Sequence, residues 1–186
     1  MELAEFKDFL KSKPYSAVAE ELIHKSSIHA FDSQKAYEDY KAPIKADHPH
    51  AHLVSIVGSA NWKFSLNPDK NFRVFHEGSD IDIAIICADS YLKTWEELRR
   101  FHRDKYYSLG HSAQAALRRN GENVYSGFAT PKWVPALTSE LKRDHLKLTD
   151  KYSNKAVSYK QVNMMYFRNV AETIDYYVRS IRLANK

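Results

Sequence analysis

The sequence predicts an α+β fold, a small mixed β-sheet covered by helices with helical extensions at both ends. Three observations predict it. Two short runs rich in β-branched residues, Leu53–Val57 and Ile81–Ile86, have the length and composition of buried strands. Segments on either side repeat apolar residues at helical spacing. The order is helices, then strand–helix–strand–helix–strand, then helices again, which places a sheet in the middle of the chain and its cover at the ends.

Residues 2–12 read as a first helix, with Leu3, Phe6, Phe9 and Leu10 at helical spacing and Pro14 ending it. Residues 15–40 read as more helix, capped by Ser16, with Val18, Leu22 and Ile23 on one face. The stretch KAPIKADHPHAH, residues 41–52, reads as an exposed connection because it carries two prolines. Its alternating His48, His50 and His52 would align on a strand as a metal site, but Pro49 favours a solvated loop. Leu53–Val57 is a strand closed by Gly58. Residues 60–66 read as a short helix stopped by Asn67-Pro68, and 67–73 as turn chemistry. Helices follow over 92–107 and 111–119, split by Gly110. Residues 124–129 are a weaker third strand, and 134–150 and 157–184 read as helices.

With 186 residues, the chain suits one domain: a helical extension over 1–45, a core over 50–130 and a helical part over 131–186. The composition, 44% hydrophobic and 27% charged, is that of a globular protein rather than a disordered one. No apolar run approaches the ~18 residues needed to cross a bilayer, so no membrane partner is expected. Residues 1–10 alternate acidic and apolar side chains, unlike a secretory or transit signal. The single cysteine, Cys87, excludes a disulfide scaffold and a cysteine zinc knuckle. Together these points suggest the cytoplasm. The net charge of +5 suits a phosphate-rich partner, and the basic residues concentrate in the second half.

The chemistry concentrates between Ile56 and Ile86. A glycine at a strand end lets backbone approach a ligand closely. Ser59, next to it, sets a hydroxyl and backbone N–H groups at the start of a helix, where phosphate binds readily. Asp80 and Asp82 are two apart, so on a strand both face one side with Cα atoms roughly 6.7 Å apart. Such a pair can converge on one divalent ion or on two, and oxygen ligands with phosphate suit Mg²⁺. Ile81 and Ile83 face the apolar side.

Gly58-Ser59, a gap, and then Gly78-Ser79-Asp80-Ile81-Asp82-Ile83 resembles the signature of the DNA polymerase beta-like nucleotidyltransferase superfamily, as a small stand-alone member. The resemblance covers about 35 residues of motif and extends loosely over 50–130. It implies a nucleotidyltransferase type of sheet. Gly58, Ser59 and Ser79 would hold a nucleoside triphosphate. Asp80 and Asp82 would be the catalytic carboxylates and would hold Mg²⁺ or Mn²⁺. The implied activity is transfer of a nucleotidyl group to an acceptor hydroxyl, with RNA or a protein as acceptor, in a bacterial toxin–antitoxin or phage-defence setting. Two departures stand out. The gap from Ser59 to Asp80 is longer than in the family's compact versions, and against them residues 67–77 read as an inserted hairpin or loop. The third strand also lacks the third carboxylate that active members place on a later strand: Tyr125 or Ser126 stands there, and Glu122, Asp144 and Asp150 are the substitutes. The alternative reading is therefore a catalytically impaired nucleotide- or RNA-binding module.

Other features have plainer readings. His76 reads as a surface histidine. LRRFHRDK, residues 98–105, reads as a solvated helix face or a phosphate grip. Trp133 in GFATPKWVP is either a base-stacking platform or an apolar plug. The aromatic stripe Tyr159, Tyr166, Phe167, Tyr176 and Tyr177 reads as packing against the core or against a second chain, so the C-terminal helix is the candidate oligomer or partner surface. Arg168, Arg179 and Arg182 read as solvated.

Overall fold

The two β-branched runs pair with each other. In the computed structural model, which describes residues 1–135 and 139–185, β1 (Leu53–Val57) lies antiparallel to β2 (Ile81–Ile86), with Val57 opposite Asp82. A third strand, β3 (Phe128–Ala129), and a fourth, β4 (Val162–Phe167), complete a mixed sheet of order β1-β2-β4-β3. β4 runs parallel to β2 and antiparallel to β3.

Period-two alternation sorts the side chains of this sheet. Ile81, Ile83 and Ile85, with Val54, Ile56, Met164 and Tyr166, pack with Tyr37, Tyr40, Ile44 and Tyr152. These last belong to α3 (Gln34–Asp47) and α7 (Glu140–Tyr152). Val57, Ala84, Ile86 and Phe167 pack instead with Phe6, Leu10, Val18, Leu22, Tyr177 and Ile181. That layer comprises α1 (Leu3–Lys11), α2 (Tyr15–His24) and α8 (Val170–Ala184). A four-residue helix, α4 (Ser59–Trp62), follows β1 directly. Helices α5 (Ala88–Lys105) and α6 (His111–Tyr125) enclose a smaller cluster of Leu98, Leu117 and Val134.

The helix read over 15–40 is split, α2 ending at His24 and α3 starting at Gln34, and the one read over 134–150 begins at Glu140, residues 136–138 lying outside the described residues. The structure departs from the sequence reading in three further places. First, α3 runs through Pro43 to Asp47, where an exposed connection is expected. An interior proline costs about 3 kcal/mol, and burial of Tyr40 and Ile44 on the same helix offsets it at about 1.5–3 kcal/mol per side chain. The histidines do not gather into a metal site: His48 is buried edge-on against Tyr166, while His50 and His52 are exposed. Second, residues 124–125 finish α6, so the third strand shrinks to Phe128–Ala129. Third, the helix read over 157–184 is a strand followed by a helix. Val162–Phe167 is an inner strand with buried Val162, Met164, Tyr166 and Phe167, and Asn169 caps α8 by accepting from the Glu172 N–H at 2.9 Å. Apolar residues on both faces of a buried strand mimic helical spacing in a short window.

His145 on α7 is buried, and its Nδ1 lacks a partner among the described residues. Burial, with the charges of Lys132 and Lys142 adding to it, lowers its pKa from 6.5 to about 4. The unfolded chain takes up this proton near the ordinary value, so stability is lost as pH falls through that window. Unfolding measured from pH 7 down to pH 4 should show a loss of up to about 3 kcal/mol from this residue. His145→Leu should flatten that part of the slope.

Candidate functional site

The site forms where β1 ends and β2 begins. Gly58 caps α4 with φ 69° and ψ −159°, a conformation that L side chains avoid. A Cβ built there would lie 3.0 Å from Asp82 Oδ2. Glycine is thus required twice, for the backbone and for the carboxylate seated against it. Gly58→Ala should cost about 1–3 kcal/mol in strain and push the Asp82 carboxylate aside; urea unfolding reads the first effect and a crystal structure of the variant the second. Buried Asn61 fixes the turn from below, donating through Nδ2 to Leu22 O at 2.9 Å and to Ile56 O at 2.8 Å.

Asp80 is exposed just ahead of β2, and half-buried Asp82 is its second residue. The turn before them is closed by Ser79, whose N–H donates to His76 O at 2.9 Å and whose hydroxyl accepts from the His76 N–H at 3.0 Å. Ser79 therefore positions Asp80, and it does not line the cleft described below. The two carboxylates converge, as their spacing predicts. Both accept from Asn163 Nδ2, Asp80 at 3.2 Å and Asp82 at 3.1 Å. Asn163 lies on β4, in register with Asp82. Lys132, on the 3-10 turn after β3, donates from Nζ to Asn163 Oδ1 at 2.8 Å.

Burial raises the Asp82 carboxyl pKa above its ordinary value. The Asn163 hydrogen bond opposes the rise, Asp80 reinforces it, and Lys70 and Lys132 pull it back. A carboxylate in this setting gains from any added positive charge.

A cleft of about 570 Å³ opens beside the pair. Gly58, Ser59 and Asp82 line it, together with Lys70 of the 67–77 segment and with Tyr176 and Arg179 of α8. Arg179 also donates to Ser126 O at 3.0 Å. The sequence reading treats 67–77 as an insertion and Arg179 as solvated; Lys70 and Arg179 are both exposed, and the fold brings each cation to the cleft. Neither carries a motif, so only the tertiary structure reveals them.

The substitutes for a third carboxylate are elsewhere. Tyr125 and Glu122 are exposed on α6. Asp144 pairs with Lys147 on the outside of α7. Asp150 borders a shallow neighbouring cleft with Lys132, His145 and Asn163. The strand that flanks the Asp pair is β4, and it carries Asn163 at the register position of Asp82. Among the described residues, no group of three or more His, Cys, Asp or Glu side chains is placed to hold a metal ion.

The other candidates are satisfied locally. Trp133 is half-buried, with Arg119 and Lys132 each 5.4 Å from its ring centre. Within 98–105, Arg100 pairs with Glu97 and Arg103 with Asp104. Tyr166, Phe167 and Tyr177 are buried in the core, while Tyr159 is exposed. Among the described residues no helix is long and apolar enough to cross a membrane.

Fold and site together define an α+β protein with a paired-aspartate cleft beside a Gly-Ser turn. Compared with known proteins, the chain matches no family model, no curated protein and no solved structure.

Proposed function

We propose that this chain is a nucleotidyltransferase-type protein that binds a nucleoside triphosphate together with Mg²⁺ or Mn²⁺ in the cleft between Ser59 and Arg179. The carrying observation is the convergence of Asp80 and Asp82 beside Gly58-Ser59, with Lys70 and Arg179 on the same cleft. Two carboxylates and no third suit one hard cation that completes its shell with phosphate oxygens and water. Such an ion, when bound, neutralises triphosphate charge. The chain's own residues supply the remainder. The Ser59 hydroxyl and the glycine backbone lie where a phosphate can approach closely, and Lys70 and Arg179 offer donors that match phosphate oxygens. Half-buried Tyr176 lines the same cleft and is held there by Phe128, Phe167 and Tyr177.

Nucleotidyl transfer to an acceptor hydroxyl is the activity the motif implies, and Asn163 favours the binding role over it. An amide cannot accept a proton from that hydroxyl, and general-base catalysis typically contributes about 10²–10⁴-fold. We therefore expect transfer by the lone chain to be slow, or to need an RNA or protein partner that supplies the base. The test is incubation with each labelled triphosphate, Mg²⁺ or Mn²⁺, and RNA or protein acceptors, alongside equilibrium binding of the same nucleotides. Binding with slow or no turnover is expected; the absence of binding by every nucleotide would overturn the reading.

A further inference from the structure

Two charges of the same sign facing one side of a strand should repel, yet Asp80 and Asp82 are drawn onto one nitrogen. The orientation of that amide is dictated by its other end. An ammonium group has three donors and no acceptor, so the side of Asn163 that meets Lys132 must be the oxygen. Gln161 Nε2 approaches the same oxygen at 3.5 Å. The NH₂ group is thereby turned toward the carboxylates and occupies the ground between them.

We infer that Asn163, held in one orientation by Lys132, acts as an amide latch across the Asp80–Asp82 pair, which disfavours capture of a free divalent ion and yields to an ion arriving with a triphosphate. A free ion would have to displace two hydrogen bonds to carboxylates, and it would meet N–H groups where a ligand oxygen is needed. A triphosphate changes this balance through Lys132. The Asn163 amide is neutral, whereas a phosphate oxygen carries charge opposite to that of the ammonium, so a phosphate within reach adds Coulomb attraction that the amide lacks and is the better partner for Lys132. Once released, the amide can turn its oxygen toward the carboxylates. Asn163 and Lys132 are positioning residues in this account. The inference rests on the reading of Asp80 and Asp82 as the cation site and assigns that site its order of loading.

The test is Mn²⁺ titration, followed by loss of the free-ion paramagnetic signal, on the full chain with and without a non-hydrolysable triphosphate. Wild type should bind Mn²⁺ alone weakly. Asn163→Ala should bind it more tightly, and Asn163→Asp at least about tenfold more tightly, the usual scale for a group beside a metal site. Because Lys132 would pair with the new carboxylate, Asn163→Asp is also measured together with Lys132→Met. Lys132→Met alone should raise Mn²⁺ affinity, and Lys132→Arg should keep the wild-type value. The gain from Lys132→Met should largely vanish in the Asn163→Ala background, since coupled residues are non-additive. Asn163→Ser replaces Asn163→Ala if the latter fails to fold.

Weaker Mn²⁺ binding by Asn163→Ala than by wild type would make Asn163 a ligand and overturn the latch. So would an equal Lys132→Met effect in both backgrounds, which is a simple field effect. If the variants gain Mn²⁺ as described while nucleotide adds nothing to any of them, the exclusion of a free ion stands, and both its release by a triphosphate and the nucleotide reading fall.

Discussion

Replacing both Asp80 and Asp82 by alanine is expected to abolish Mg²⁺-dependent nucleotide binding while leaving the fold intact. Among the described residues both side chains accept hydrogen bonds from Asn163 on β4 alone, and neither belongs to the apolar clusters on the two faces of the sheet. Burial already penalises the charged form of Asp82, and Asp80 adds to that penalty. Removing the pair should therefore be neutral or mildly stabilising in metal-free protein. In the presence of ATP and Mg²⁺ the wild type should melt at higher temperature, by linkage about 2.7 kcal/mol more stable at a hundredfold excess over Kd. The double variant should show none of this shift. A double variant that keeps the full ligand-induced shift would remove the aspartates from the site.

The second large effect is on stability. Trp62 closes α4, is 1% exposed, and meets Tyr177 of α8 edge to face with ring centres 5.6 Å apart. It ties the Gly58-Ser59 turn to the helix that carries Tyr176 and Arg179. Truncating a buried aromatic to alanine typically costs about 3–5 kcal/mol, so Trp62→Ala should show that loss in chemical unfolding. Its indole N–H is buried with no partner among the described residues. Trp62→Phe, which removes that group and keeps a ring, should be much milder. Nucleotide affinity should fall further in Trp62→Ala than in Trp62→Phe, because the Gly58-Ser59 turn and α8 lose their common support. Equal stability of the two variants would show that Trp62 does not bridge them.

What could be read from the sequence follows from the range of the forces involved. β1, β2, the convergence of Asp80 and Asp82 and the demand for glycine at 58 are local, set by composition, period two and a strand end. β4 is an inner strand packed on both faces, and its VNMMYF pattern continues into α8 without a proline or glycine to mark the break. Only the Asn169 cap signals where the helix starts. Misreading that segment hid Asn163, the amide that bridges Asp80 and Asp82. Lys70, Lys132 and Arg179 reach the site from three separate segments through tertiary packing, and no spacing rule connects them.

The central claim is that one triphosphate and one cation share the cleft lined by Gly58, Ser59 and Asp82, with Asp80 beside it. A crystal structure of the chain with a non-hydrolysable nucleoside triphosphate and Mg²⁺ tests it most directly. The account predicts phosphate oxygens against Ser59, an ion on the carboxylates of Asp80 and Asp82, and Lys132 turned from Asn163 toward phosphate. A nucleotide bound elsewhere, or an ion that touches neither aspartate, would contradict it.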